Sequence, residues 1–147
     1  MQKLFRVILP VSDIEKAERF YAAVFQTPGQ RVSPGRHYFD CGGTILACYD
    51  PVADGDGRDG AWSYHPKQYL YFSIADVEAA YQRALAAGTT LDSAIMTMPW
   101  GERMFYARDP LGSQICLVDE KTLFTGRPKA GGEPTERPAG PAPTRAN

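Results

Sequence analysis

Residues 6–25 read RVILPVSDIEKAERFYAAVF, and residues 69–88 read YLYFSIADVEAAYQRALAAG. With Arg6 set against Tyr69, Asp13 falls on Asp76, Glu15 on Glu78, Ala17 on Ala80 and Ala23 on Ala86. Apolar positions coincide too: Val7 with Leu70, Leu9 with Phe72, Val11 with Ile74. Self-similarity at a fixed offset means that one supersecondary unit is used twice. Each copy opens with strand-like alternation and passes into a helical period. In the first helix the apolar stripe is Ile14, Ala17, Phe20, Tyr21, Val24 and Phe25, and Ser12 with Glu15 forms an S-x-x-E capping box. The second helix is expected to be capped by Asp76 and to stop at Gly88.

Three short strand candidates follow each helix. In the first copy they lie around 30–32, 37–41 and 44–49; in the second, around 91–98, 102–108 and 113–118. The tight links are Gly42-Gly43 and Asp109-Pro110-Leu111-Gly112, the latter with Asp, Pro and Gly where a type I turn wants them. Each copy therefore reads β-α-β-β-β. The fold class expected is α+β: two tandem βαβββ modules whose mostly antiparallel sheets curve around a cleft. The division expected is one domain over 1–125, with module one at 3–50, a linker at 51–66 and module two at 67–120.

The chain has 147 residues, 44% of them hydrophobic, which is ample for one core. Its formal net charge of −1 provides no strong field for nucleic acid or a membrane surface, so neither is expected as a partner. Apolar runs such as 70–74 and 115–118 are far too short to span a bilayer. The opening MQKLFRVILPVSD lacks a small-residue cleavage site and alternates like a strand, so a signal peptide is not expected. Cys41, Cys48 and Cys116 are odd in number and lack metal-type spacing, which fits reduced thiols in the cytoplasm. From about Gly126 the chain reads GRPKAGGEPTERPAGPAPTRAN; without large apolar side chains it cannot offset its ordering entropy, and a disordered tail over 126–147 is expected. In the linker, Asp54, Asp56 and Asp59 invite a calcium reading, but Arg58 and His65 stand where an EF-hand needs oxygen ligands.

The stretches VILPVSDIEKAERFYAAVF, FSIADVEAAYQRALAAG and MFYARDPLGSQICLVD, in this order and spacing, resemble the vicinal oxygen chelate superfamily of glyoxalases, extradiol dioxygenases, fosfomycin-resistance enzymes and bleomycin-binding proteins. The resemblance implies a cleft that holds a divalent metal in the enzymes. It places the metal ligands on the first and last strand of each module. Here those places hold Arg6, Ala47, Tyr69 and Cys116, where the family carries His, Glu or Gln. Arg has no lone pair to give, Ala offers nothing, a neutral Tyr is a poor ligand, and one thiol does not make a site. No metal and no other cofactor is expected. His37 and His65 stand off the ligand places and read as a strand and a loop residue.

Strand alternation sends Arg6 and Ile8 to the cleft face, opposite Val7, Leu9 and Val11. Tyr69, Tyr71 and Cys116 share that face in module two. Tyr106 matches a family position whose hydroxyl meets the ligand, and Trp62 and Trp100 flank the strands on loops. Arg6, Tyr69, Tyr71, Trp100, Tyr106 and Cys116 are thus the candidate ligand-binding residues, with no catalytic group assigned. For most of them the bland alternative is filling: half-buried aromatics and a small buried thiol are common in a curved sheet. Arg6 could instead pair with a carboxylate such as Glu102. The reading is a metal-free small-molecule binder, a homodimer in solution. Two alternatives stand beside it: a lyase, isomerase or dioxygenase with an atypical metal site drawing on His65, Glu102 or Asp119, and a protein–protein module whose cleft is filled by its own side chains.

Overall fold

Module one starts with β1 (Arg6–Pro10), whose Leu9, with Val11 just beyond the strand, turns inward and is buried. The chain then enters α1 (Ile14–Phe25), which buries Ile14, Ala17, Phe20, Tyr21 and Val24, the stripe expected from their spacing. The cap differs from expectation. Asp13, in extended backbone, accepts from Lys16 N at 3.0 Å, so Ser12 and Glu15 do not form a capping box. A carboxylate one residue closer to the helix takes the orphan N–H, and Glu15 turns outward to Arg31 at 3.1 Å. Asp76 does the same for α2 (Val77–Ala86), accepting from Ala79 N at 3.0 Å. The two aspartates that match in the repeat are thus the two caps.

After α1 come β2 (Gln30–Ser33), β3 (Arg36–Cys41) and β4 (Thr44–Tyr49). They form a sheet of order β1-β4-β3-β2, with β1 parallel to β4 and the other pairs antiparallel. The computed structural model describes residues 4–56 and 68–124. The tail, Trp62, His65, Asp59 and most of the linker lie outside those residues.

Module two repeats the plan with β5 (Tyr69–Ile74), then α2, β6 (Thr90–Leu91), β7 (Met96–Thr97), β8 (Arg103–Arg108) and β9 (Gln114–Asp119). Its sheet runs β5-β9-β8-β6, with β7 also on β8. The single strand expected over 91–98 is broken into β6 and β7. Between them Asp92 N and Ser93 N both turn to Tyr106 O, at 2.9 and 3.3 Å, which bends the chain off the ladder. The Asp109–Gly112 turn closes as expected, with Gly112 N donating to Asp109 O at 3.0 Å and Gly112 at φ 91°.

Both helices contribute to one core, in which Phe20, Tyr21, Val24, Phe39 and Leu46 meet Val77, Ala80, Phe105, Ile115 and Leu117. Burying each large apolar side chain contributes about 1.5–3 kcal/mol, so this seam is the main stabilising feature. Two polar ties cross it. The buried Tyr21 hydroxyl donates to Asp109 Oδ2 at 2.7 Å, and Arg83 Nε donates to Val24 O at 3.1 Å. Since each sheet puts one face into this shared core, its other face points away from it. The architecture is α+β, two βαβββ modules in mixed sheets.

Candidate functional site

The face of module one that points away from the core is ordered by strand register. Ile8, Ala47 and Tyr38 lie abreast in one row, Arg6 and Ile45 in the row before it, and Pro10, Tyr49 and Arg36 in the row after it. Ala47 is the small residue at the centre, fully covered, and the larger side chains around it leave a recess of about 230 Å³. Its lining is Arg6, Ile8, Arg36, Tyr38, Ala47 and Tyr49.

The two arginines of this recess differ in electrostatic state. Arg36 lies over the Tyr49 ring at 4.6 Å and is ion-paired with Asp54 at 3.3 Å and Asp56 at 3.8 Å. The Tyr49 hydroxyl donates to Asp56, and Asp54 also accepts from Gly35 N at 3.0 Å. Gly35 is needed for this packing, because a Cβ there would sit 2.2 Å from Asp50 O. Arg6 is exposed and stacks on Tyr38 at 5.2 Å and Phe5 at 5.1 Å. Among the described residues no carboxylate lies within ion-pair distance of it.

The corresponding face of module two carries Tyr69, Tyr71, Met104, Tyr106, Cys116 and Val118. Here the side chains fill the space themselves. Met104 and Cys116 are 0% exposed and Tyr106 5%, with Tyr69, Met96, Met98 and Trp100 packed against them. Tyr69 and Tyr106 meet edge to face at 6.0 Å. Burial, then the neighbouring Tyr106 hydroxyl, raises the Tyr71 phenol above its ordinary value. Burial also pushes the Cys116 thiol well up, with the nearby Glu102 charge adding to it. Glu102 is itself occupied, accepting from Trp100 Nε1 at 2.6 Å and Phe124 N at 3.0 Å.

The structure therefore brings Tyr69, Tyr71, Trp100, Tyr106 and Cys116 together on module two, and places Arg6 apart from them on module one. Arg6 lies on a different sheet from Tyr69 and Tyr106, and neither of them lines the recess that Arg6 lines. Nor is Arg6 paired with Glu102. His37 is a buried strand residue: its Nε2 is 2.8 Å from Pro28 O, and its Nδ1 accepts from Arg31 Nε at 3.3 Å. Asp119 accepts from Lys121 N at 2.9 Å, closing the short 3₁₀ turn that follows β9. Arg36, Tyr38 and Tyr49 were missed by the sequence reading. Their signal was present: Arg36 and Tyr38 share one strand face at i and i+2, and Tyr49 shares a face with Ala47.

The four places that would hold a divalent ion do not fit one. Arg6 lacks a lone pair, Ala47 has no donor, and Cys116 is kept as a neutral thiol by its burial. Among the described residues no group of three or more His, Cys, Asp or Glu is arranged to hold a metal.

Two βαβββ modules in tandem, one of them with a ligand-scale recess on its outer face, define the class of fold. The profile of the Glyoxalase/Bleomycin resistance protein/Dioxygenase superfamily matches residues 3–117, and the chain belongs to that superfamily. Among solved structures, a glyoxalase/bleomycin resistance protein/dioxygenase family enzyme from Burkholderia phytofirmans is similar at TM-score 0.68, with 21% identity over 83% of this chain and 100% of that one. A glyoxalase-related enzyme from Fulvimarina pelagi is similar at TM-score 0.67, with 20% identity over 82% of this chain and 90% of that one. At such identities the likeness concerns the fold. A 48-residue stretch is 38% identical to an uncharacterized protein of Mycobacterium bovis. That match spans 33% of this chain and 32% of the relative, about a third of the relative's length. No helix among the described residues is long and apolar enough to cross a membrane.

Proposed function

We propose that this chain is a metal-free member of its superfamily that binds a small planar or acidic molecule in its cleft. The observation that carries the reading is Arg6: a guanidinium without a carboxylate partner among the described residues stands in a metal-ligand place and lines the recess of module one. A guanidinium can offer paired hydrogen bonds to a carboxylate, and Tyr38 and Tyr49 offer flat walls. Catalysis is not part of the proposal. A thiol and a phenol held in their protonated forms are weak nucleophiles and bases.

The homodimer belongs to the same proposal. In the sheet orders β1 and β5 each stand at one edge, with β2 and β6 at the other, and β1 and β5 each expose a large side chain at matching repeat positions, Ile8 at 44% and Tyr71 at 45%. Open edges and exposed apolar side chains favour closure by a second copy. In such a dimer the module-one recess of one protomer faces module two of its partner. Three free cysteines support a reducing, cytoplasmic setting.

Elemental analysis of protein purified from metal-replete cells tests the metal-free part. The expected content is well below one ion per chain. Near one Zn, Mn, Ni or Fe per chain, lost on mutating residues of either outer face, overturns it. Fragment screening by ligand-observed NMR tests the binding part. Planar fragments are expected to bind and to lose their site in Ala47→Leu, which fills the recess.

A further inference from the structure

We infer that the recess of module one selects monoanionic aromatic acids, and discriminates against both neutral rings and dianions such as phosphate monoesters. The inference rests on the binding function proposed above and narrows it to one ligand class.

The argument starts from the charges around the recess. Two guanidiniums line it, which at first sight suits a doubly charged phosphate. Arg36, however, is held by Asp54 at 3.3 Å and Asp56 at 3.8 Å, and Asp56 also accepts from the Tyr49 hydroxyl. That end of the recess is a closed network in which two carboxylates face one guanidinium. Among the described residues it has no cation to spare, and its two carboxylates repel a further negative charge. Arg6, at the opposite end, has only aromatic partners among the described residues. One unmatched positive charge matches one negative charge. The second charge of a dianion would be directed either to bulk water or toward Asp54 and Asp56.

The dimensions fit a flat body between the two ends. Arg6 and the Tyr49 row are four residues apart along the strands, about 13 Å at roughly 3.3 Å per residue. Side chains projecting from both ends shorten that span to the length of a single- or double-ring acid. A volume of about 230 Å³ lies below the range of drug-sized sites. Between the ends, Ile8 and Tyr38 stand on either side of the covered Ala47, forming a slot with one aliphatic and one aromatic wall. The ring of a ligand takes the slot, and its carboxylate reaches Arg6. The Tyr38 ring already lies against the Arg6 guanidinium, so the anion meets a cation whose orientation is largely set before binding.

The test is calorimetric titration of the full chain with benzoate, benzamide and phenyl phosphate at pH 7.5, on wild type, Arg6→Gln and Ala47→Leu. Wild type is expected to bind benzoate roughly tenfold more tightly than benzamide or phenyl phosphate, about the worth of one charge-assisted contact. Arg6→Gln is expected to remove that advantage, so that benzoate and benzamide bind alike, and Ala47→Leu to abolish all binding. The advantage should also shrink with added salt. Equal affinity for benzoate and benzamide in wild type overturns the acid selectivity while the binding function stands. Phenyl phosphate binding more tightly than benzoate overturns the single-charge argument in the same way. An advantage that persists in Arg6→Gln removes Arg6 from the site. If none of the three probes binds wild type at millimolar concentration, the binding function and this inference fall together.

Discussion

Thiol reactivity depends on the thiolate fraction and on access, and burial raises all three cysteines, Cys48 and Cys116 the most. Burial raises Cys48 to about 12, with the charges of Asp109 and Cys41 adding to it, and burial raises Cys116 further. Cys41 is exposed at the β3–β4 turn. Iodoacetamide on native protein, followed by peptide mass spectrometry, is therefore expected to label Cys41 first and the other two only after denaturation. Labelling of Cys116 at the pace of Cys41 would mean that module two opens readily. The same shift gives a pH dependence. The folded state holds the Cys48 proton more tightly than an unfolded chain at the ordinary value of 9.0. Below about pH 9 both states are protonated and nothing changes. As pH rises from about 9 toward 12 the unfolded state ionises first, and stability is lost. Urea denaturation across this window should show that decline, and Cys48→Ala should make it shallower, the remainder coming from Cys116.

At the scale of elements, the caps separate sequence logic from structure. Asp13→Ala and Asp76→Ala are each expected to cost about 1 kcal/mol in urea denaturation, and Ser12→Ala close to nothing. A large loss at Ser12 would restore the capping box. Much of the fold was legible because the repeat places like beside like: the alternation of β1 and β5, the stripe of α1 and the turn at Asp109–Gly112 all follow from local periodicity. The break between β6 and β7 was not, since it depends on Tyr106 O drawing two N–H groups off the ladder from a distant strand. The site was legible by halves. Arg6 emerged from its place on the first strand. Tyr38, Tyr49 and Arg36 did not, because which face of β3 adjoins Arg6 is settled only by the β3–β4 and β1–β4 registers. Tyr106 and Cys116 were placed on the cleft face with filling as the alternative, because alternation gives the face of a strand, while the depth to which Met96, Met98 and Trp100 cover it is tertiary.

At the scale of the whole molecule, the open edges at β1 and β5 set the expected association. Sedimentation equilibrium at micromolar concentration should give a dimer mass, and Ile8→Asp should shift it to monomer by placing a charge on the apolar edge. A wild-type monomer would overturn the dimer and leave each outer face to act alone. The two faces are already unequal: module two has filled its hollow with methionines, a tyrosine and a thiol, while module one has kept a gap over an alanine.

The tie between Tyr21 and Asp109 bears on the ancestry of the chain. The repeat sets Tyr21 against Ala84, and the turn acid Asp109 corresponds to Asp40, which lies exposed and accepts from Gly43 N at 2.7 Å. The bond therefore has no mirror image in the other direction. A chain assembled from two second halves would bury the Asp109 carboxylate without its phenol, at a cost of about 1–3 kcal/mol. One assembled from two first halves would set a phenol where the alanine of the second helix now lets the seam close. If the two modules began as identical copies, they are no longer interchangeable, and neither half can drift at this joint without a compensating change in the other.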